Sequence, residues 1–69
     1  METIKKVTTK ERAEKMVLLA SERGIISSYK ERGKWYDVVF VYSFEQISQW
    51  TQLLQDMRNE FNNHPKPTL

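Results

Sequence analysis

The sequence lacks cysteine, and it contains one histidine, two glycines and two prolines. Without cysteine no disulfide can form, and one histidine alone cannot supply the ligands of a structural zinc site. Two separate glycines cannot build a glycine-rich loop around a phosphate group. The composition therefore predicts neither a metal nor a cofactor, so a core of this size gains support only from a partner.

Long apolar runs are also missing. The longest, residues 16–20 and 38–42, are far shorter than the roughly 20 residues that span a bilayer. The first ten residues are mostly polar and contain no apolar signal core. We therefore expect a cytoplasmic protein without a membrane segment, and the absence of cysteine agrees with that compartment.

Side chains that could perform catalysis are scarce and scattered. His64 lies between asparagines and prolines near the C-terminus, and Ser27 and Ser28 have no evident base beside them in the sequence. Nucleophilic catalysis needs an ordered base, and general acid–base catalysis needs paired or perturbed titratable groups in a pocket. We therefore expect that the protein is not an enzyme.

Length and charge predict one domain with an uneven charge distribution. The 69 residues fit a single domain, which we place at residues 1–62, followed by a flexible tail at 63–69. The net charge is +2. Residues 1–34 hold nine basic and five acidic residues, whereas residues 35–69 hold two basic and four acidic ones. The chain is therefore basic in its first half and mildly acidic in its second.

Two segments have the apolar spacing of amphipathic helices. The segment 8–11 resembles a capping box, and Gly24 suits the residue after a helix end, which predicts a helix at about residues 9–23. Ser43 with Gln46 predicts the start of a second helix, which the prolines stop after about residue 62. Its predicted apolar stripe consists of Phe44, Ile47, Trp50, Leu53, Leu54, Met57 and Phe61.

Three further segments predict strands. Residues 25–30 and 35–42 are rich in β-branched and aromatic side chains, and residues 2–7 are a weaker candidate. The connection at 31–34 fits a hairpin whose loop has three residues, with a glycine bulge, slightly better than one with two residues. The two loops differ by one residue in register, so they place opposite faces of the strand on the core.

The predicted fold class is α+β. The order β-α-β-β-α favours a right-handed strand–helix–strand crossover between parallel strands, with the hairpin adding an antiparallel strand. Because each helix has one apolar stripe, both should pack on one face of a three-stranded sheet. The arrangement resembles half of a ferredoxin-like fold without its last strand, which is a likeness of topology and carries no function.

The strand at residues 35–42 is apolar on both faces. An antiparallel strand with one solvated face should instead alternate apolar and polar residues. We assign Tyr36, Val38, Phe40 and Tyr42 to the core, since this set is bulkier and lacks the charge of Asp37. The predicted protein-binding surface on the other face is formed by Trp35, Val39, Val41 and Tyr29, with Tyr29 or Lys30 opposite Trp35. The alternative is that these residues are core, covered by the tail or the N-terminus.

The leading functional prediction is thus a small non-catalytic protein-binding module that acts as an adaptor, regulator or inhibitor of a larger protein. Pairing of free sheet edges between two copies would give a homodimer. The alternative function is nucleic-acid binding by Lys30, Arg32 and Lys34 around the hairpin turn, beside the aromatic Trp35. Five glutamates are interleaved among the nine basic residues of residues 1–34, which favours an ordinary solvated surface instead.

Overall fold

The computed structural model describes residues 1–62, so the predicted tail at 63–69 lies outside the described residues. The elements are β1 (Glu2–Val7), α1 (Lys10–Glu22), β2 (Ile26–Arg32), β3 (Trp35–Val41), a short 3-10 turn (Phe44–Gln46) and α2 (Ile47–Asn62). The predicted α+β class and the order β-α-β-β-α are confirmed.

The sheet has three strands in the order β1-β3-β2. Strand β3 is antiparallel to both neighbours, so β1 and β2 point the same way but do not touch each other. The central position falls to the most apolar strand, because a central strand is shielded on both edges. The pairing of β1 with β3 begins at Glu2 opposite Val41 and ends at Val7 opposite Tyr36. The pairing of β2 with β3 begins at Ile26 opposite Val41 and ends at Arg32 opposite Trp35.

Helix α1 begins and ends next to residues suited to those positions. The Thr9 hydroxyl accepts a hydrogen bond from the Arg12 N–H at 3.2 Å. Since Thr9 is the cap, the third helical residue is Arg12, and Glu11 does not occupy the place that a capping box requires. At the other end Gly24 adopts a φ of 73°. The N–H of Ile25 donates to the Ala20 carbonyl and that of Gly24 to the Ser21 carbonyl, which is the Schellman motif.

Helix α2 is fastened to the rest of the chain at its start. The Gln46 side chain accepts from the Ser43 N–H at 3.1 Å, as the sequence predicts for a capping pair. The same side chain donates to the Gly24 carbonyl at 2.9 Å. Gln46 therefore joins the turn before α2 to the loop after α1. A second link lies at Asp56 of α2, whose two carboxylate oxygens accept hydrogen bonds from Arg23 at the end of α1, at 2.8 and 3.0 Å.

The core lies between the sheet and the two helices, all on one side of the sheet. The predicted inward set of β3 is confirmed, since Val38 and Phe40 are fully buried. Both helices contribute to the same cluster, whose buried members are Val7, Ala13, Met16, Ala20, Ile25, Val38, Phe40, Tyr42, Trp50, Leu53 and Met57. Because opposite residues in an antiparallel pair point to the same face, the remaining set of each strand points away from the helices.

The hairpin between β2 and β3 has a two-residue loop, so the preference for three residues was wrong. Arg32 pairs with Trp35, which leaves only Gly33 and Lys34 between the strands. Gly33 has a φ of 78°, whereas Lys34 has no positive φ. A positive φ at the first central residue alone is the type II′ pattern, whose twist suits a β-hairpin. The turn therefore does not need the Asn-Gly or Asp-Gly pair that a type I′ hairpin prefers.

Candidate functional site

The face of the sheet turned away from the helices, called the open face below, is built by alternate residues of the three strands. Strand β1 contributes Glu2, Ile4 and Lys6, β3 contributes Trp35, Asp37, Val39 and Val41, and β2 contributes Ile26, Ser28, Lys30 and Arg32. These residues fall into rows across the sheet, because Asp37, Val39 and Val41 each have a partner on both neighbouring strands, while Trp35 pairs with Arg32 of β2 alone. The four aliphatic residues lie at one end of the open face together with Glu2, and the other charged residues lie at the opposite end with Trp35.

The apolar half of the open face lies at the end where β1 begins and β3 ends. Val39 pairs with Ile4, and Val41 pairs with Ile26. Ile4, Ile26 and Val41 are 57%, 73% and 42% exposed, respectively. A side chain of this type normally loses such exposure on folding, since burying it is favourable by about 1.5–3 kcal/mol. Four aliphatic residues on neighbouring strands thus form one exposed apolar surface.

The other half of the open face is polar and internally bonded. Asp37 accepts hydrogen bonds from Arg32 Nε at 3.1 Å and from Trp35 Nε1 at 3.0 Å. The Lys6 ammonium lies 4.6 Å from the centre of the Trp35 ring, which is within the range of a cation–π contact. Lys30 stands opposite Asp37 on β2. The charge within β3 therefore has partners on its own surface, and Trp35 is held by both Asp37 and Lys6.

Three of the four predicted contact residues lie on the open face. Trp35 and Val41 are exposed and Val39 is half-buried. The prediction for Tyr29 is wrong: Tyr29 pairs with Val38, so its ring points to the helix side. The two-residue loop decides this, because it sets Arg32 rather than Tyr29 or Lys30 opposite Trp35.

The Tyr29 side chain has structural contacts in its actual position. Its ring meets that of Tyr36 edge-on with centroids 6.0 Å apart. Its hydroxyl donates to a Glu14 carboxylate oxygen at 3.2 Å, which joins β2 to α1. Desolvation, followed by the bond to Glu14, raises the pKa of Tyr29 above its ordinary value. Tyr29 therefore belongs to the contact between the sheet and α1.

The predicted basic residues divide between the face and the turn. Lys30 and Arg32 lie on the open face, and Lys34 lies in the hairpin turn with an exposed side chain. Of the three, Arg32 is paired with Asp37. Lys6, which the sequence analysis did not group with them, joins them from β1 because it pairs opposite Asp37.

Sequence reasoning missed two residues of the open face and misplaced a third apolar residue. Ile4 and Ile26 were not named, although the sequence holds a signal for Ile26: it follows Ile25 directly, and adjacent strand residues point to opposite faces. Phe44 was assigned to the apolar stripe of the second helix but is 82% exposed. It lies in the 3-10 turn before α2, where the helical spacing on which the prediction relied has not begun.

A shallow groove of about 200 Å³ lies on the helix side of the sheet. It is lined by Lys5, Met16, Leu54, Met57, Arg58 and Phe61. Across the described part of the chain, no three His, Asp or Glu side chains are grouped so that they could hold a metal ion. Within residues 1–62, no helix is both long enough and apolar enough to cross a bilayer.

Comparison with protein-family models, with curated proteins and with solved structures found no match for this chain.

Proposed function

We propose that this chain is a non-catalytic protein-binding module and that its open face is the contact surface for a larger protein. The observation that carries the proposal is the apolar half of that face, where Ile4, Ile26 and Val41 are exposed on three adjacent strands. Contiguous exposed apolar surface on a small protein usually marks an interaction site. A cytoplasmic location is part of the proposal and fits the absence of cysteine.

The size of the open face sets the expected strength of binding. Strands about 4.8 Å apart with a rise of about 3.3 Å per residue give three six-residue strands a face of roughly 300 Å². Stable protein complexes bury about 800 Å² on each partner. The open face alone therefore suits a modest, reversible complex. A tighter complex would have to bury further exposed apolar surface, such as that of Phe44, which follows Val41 by three residues in the sequence.

The polar half of the open face suits the rim of such an interface. Protein interfaces commonly have an apolar centre and a polar rim, and tryptophan and arginine are enriched among residues that contribute most to binding. Trp35 is fixed by its bonds to Asp37 and Lys6, so little side-chain entropy remains to be lost on binding. This arrangement favours Trp35 as a preformed contact.

Site-specific photo-crosslinking tests the proposal. A benzoylphenylalanine in place of Val41 is expected to form an adduct with a larger protein in cells, and Ile26→Glu in the same chain should abolish it. The matched control places the same photo-reactive residue at Leu18, which is 51% exposed but lies on α1. Equal adduct yields at positions 41 and 18, or adducts that Ile26→Glu leaves unchanged, would show that the open face is not the contact surface.

Nucleic-acid binding is the alternative function, and the juxtaposition of Lys6, Lys30 and Arg32 on one half of the open face favours it. Two observations oppose it: Asp37 pairs with Arg32, and Lys6 covers part of the Trp35 ring on which a base would stack. Titration of a labelled single-stranded oligonucleotide at several salt concentrations separates the two functions. Phosphate binding predicts a steep loss of affinity with salt, by a log–log slope of about 0.7 per neutralised phosphate.

A further inference from the structure

Both outer strands of the sheet have a free edge within the described residues. The order β1-β3-β2 leaves β1 and β2 each paired on one side only. Unpaired N–H and C=O groups along a strand edge can accept a strand from another chain. The two edges differ in sequence, and that difference decides which of them suits a second copy of the same chain.

A symmetric antiparallel pairing of two identical strands places one residue opposite itself. The two-fold axis then stands perpendicular to the sheet, and residues equally far from the central one face each other. With Ile4 of β1 at the centre, Glu2 faces Lys6 of the partner subunit, and Thr3 faces Lys5 of the partner subunit. Glu2, Ile4 and Lys6 all lie on the open face, so each pair meets on the same side of the sheet.

Neighbouring registers of β1 lose this complementarity. Centring on Lys5 sets two lysines face to face and places Ile4 opposite Lys6. Centring on Thr3 places Glu2 opposite Ile4. Only the Ile4 register combines two pairs of opposite charge with an apolar pair, and cross-strand pairs of those kinds stabilise a sheet.

The edge of β2 offers no equivalent pairing. With Tyr29 at the centre, Lys30 faces Ser28 and Glu31 faces Ser27. With Lys30 at the centre, two lysines meet, and Tyr29 faces Glu31. With Ser28 at the centre, Ile26 faces Lys30. None of these registers of β2 pairs opposite charges, so the sequence of the edges favours β1.

The groove on the helix side borders the edge of β1 and adds a salt-dependent contribution to the association. Its lining includes Lys5 of β1 together with Leu54 and Phe61 of α2, so it lies beside the edge that would join the copies. A two-fold axis perpendicular to the sheet brings both grooves to the same side, next to the junction. The cations Lys5 and Arg58 in that lining oppose the association, and this repulsion weakens as salt is added.

We propose that two copies of this chain associate through β1, with Ile4 facing its own counterpart and Glu2 paired with Lys6 of the partner subunit, to form one continuous six-stranded antiparallel sheet. The two open faces then become one surface of roughly 600 Å² with both Ile4 side chains at its centre. This inference concerns the strand edge, and its failure would leave the open face as a contact surface for another protein.

Charge exchange at the paired positions tests the register. E2K sets lysine against Lys6, and K6E sets glutamate against Glu2, so each variant alone should weaken self-association about tenfold or more. An equimolar mixture of the two should associate again, because every pair across the junction is then of opposite charge. The double variant E2K/K6E should also regain self-association. Sedimentation velocity over a wide concentration range measures each of these.

A second pair of variants removes any dependence on the contact between Lys6 and Trp35. I4K and I4E each set like charges face to face at the centre, so both should be monomeric, whereas their mixture should form a heterodimer. Ile4 is exposed, so folding should tolerate either change, which circular dichroism checks. K30E on the edge of β2 is the matched control and should leave self-association unchanged. Ile26→Glu should likewise leave it unchanged while it abolishes binding of another protein.

Two results would overturn the inference. One is a wild-type chain that stays monomeric at all concentrations. The other is a pair of mixtures, E2K with K6E and I4K with I4E, that associate no better than their separate components. If K30E weakens self-association and K6E does not, the junction lies at β2, and the proposed pairing through β1 is equally rejected.

Discussion

The indole ring of Trp50 stacks on the ring of Tyr42, with centroids 4.5 Å apart and an angle of 12° between the planes. The Tyr42 hydroxyl is also 3.0 Å from Thr3 Oγ1, and the Trp50 ring lies 5.2 Å from that of Phe40. One aromatic cluster therefore connects α2, the end of β3 and the edge strand β1. This cluster packs on the helix side of the sheet, directly behind the apolar half of the open face.

Replacement of Trp50 by alanine should destabilise the fold strongly. Loss of a buried tryptophan costs about 3–5 kcal/mol, which is comparable to the whole stability of a domain of this length at about 0.05–0.15 kcal/mol per residue. We expect a largely unfolded protein by far-UV circular dichroism. Phe44→Ala is the control, since that aromatic side chain is exposed and its loss should change the free energy of unfolding by less than about 0.5 kcal/mol. Equal effects would contradict the core described above.

Gly24→Ala should destabilise the protein through backbone conformation alone. Gly24 has a φ of 73°, and nothing lies within 4 Å of the place where a Cβ would stand. A left-handed conformation costs a non-glycine residue about 1–2 kcal/mol. Asparagine tolerates it better, so Gly24→Asn should lose less stability. Urea unfolding of both variants checks the ranking, and an alanine variant as stable as wild type would show that the helix end can rearrange.

The ion pair between Arg23 and Asp56 should make stability depend on acidic pH. The hydrogen bonds from Arg23 hold the pKa of Asp56 below its ordinary value. A lowered carboxyl pKa contributes stability that is fully present above the unfolded-state pKa of about 4 and is lost as pH falls through the folded-state pKa. The difference in urea midpoint between wild type and Asp56→Asn should therefore be constant near neutral pH and shrink below about pH 4. A difference that grows with acidity would contradict this assignment.

Ser27→Ala should leave the protein equally stable or make it more stable. The Ser27 hydroxyl oxygen is buried and has no hydrogen-bond partner among the described residues. A buried polar group without a partner costs about 1–3 kcal/mol, so its removal should raise the free energy of unfolding by up to about 1 kcal/mol. Ser28→Ala, on the solvent side of the same strand, is the matched control and should be neutral. A loss of stability specific to Ser27→Ala would mean that the hydroxyl has a partner.

Much of the fold is predictable because its signals are local. The apolar spacing in α1 and α2, the cap at Ser43 and Gln46, and the glycine after α1 are read from a few adjacent residues, and each predicts one element. The inward set of β3 is equally local, since bulk and the absence of charge distinguish it from the set containing Asp37. The assignment of Trp35, Val39 and Val41 to the open face follows from that choice.

The errors concern relationships between distant residues or between a turn and its neighbours. Tyr29 was placed on the wrong face because the loop length, and with it the register of β2, depends on how Gly33 sits between two strands. Phe44 was counted with α2 because helical spacing cannot show that the chain first makes a 3-10 turn. Ile4 was not named because a weak six-residue strand does not reveal which partner it pairs with.

The sequence by itself determines which segments are helices and strands and which side of β3 is buried, because these depend on local spacing and side-chain size. Only the tertiary structure decides that β3 lies between β1 and β2, which gathers Ile4, Ile26, Val39 and Val41 on one face and Lys6 over Trp35. Strand pairing joins residues far apart in the chain. A shift of one residue reverses every side chain, so the composition of this face follows from register and not from any single segment.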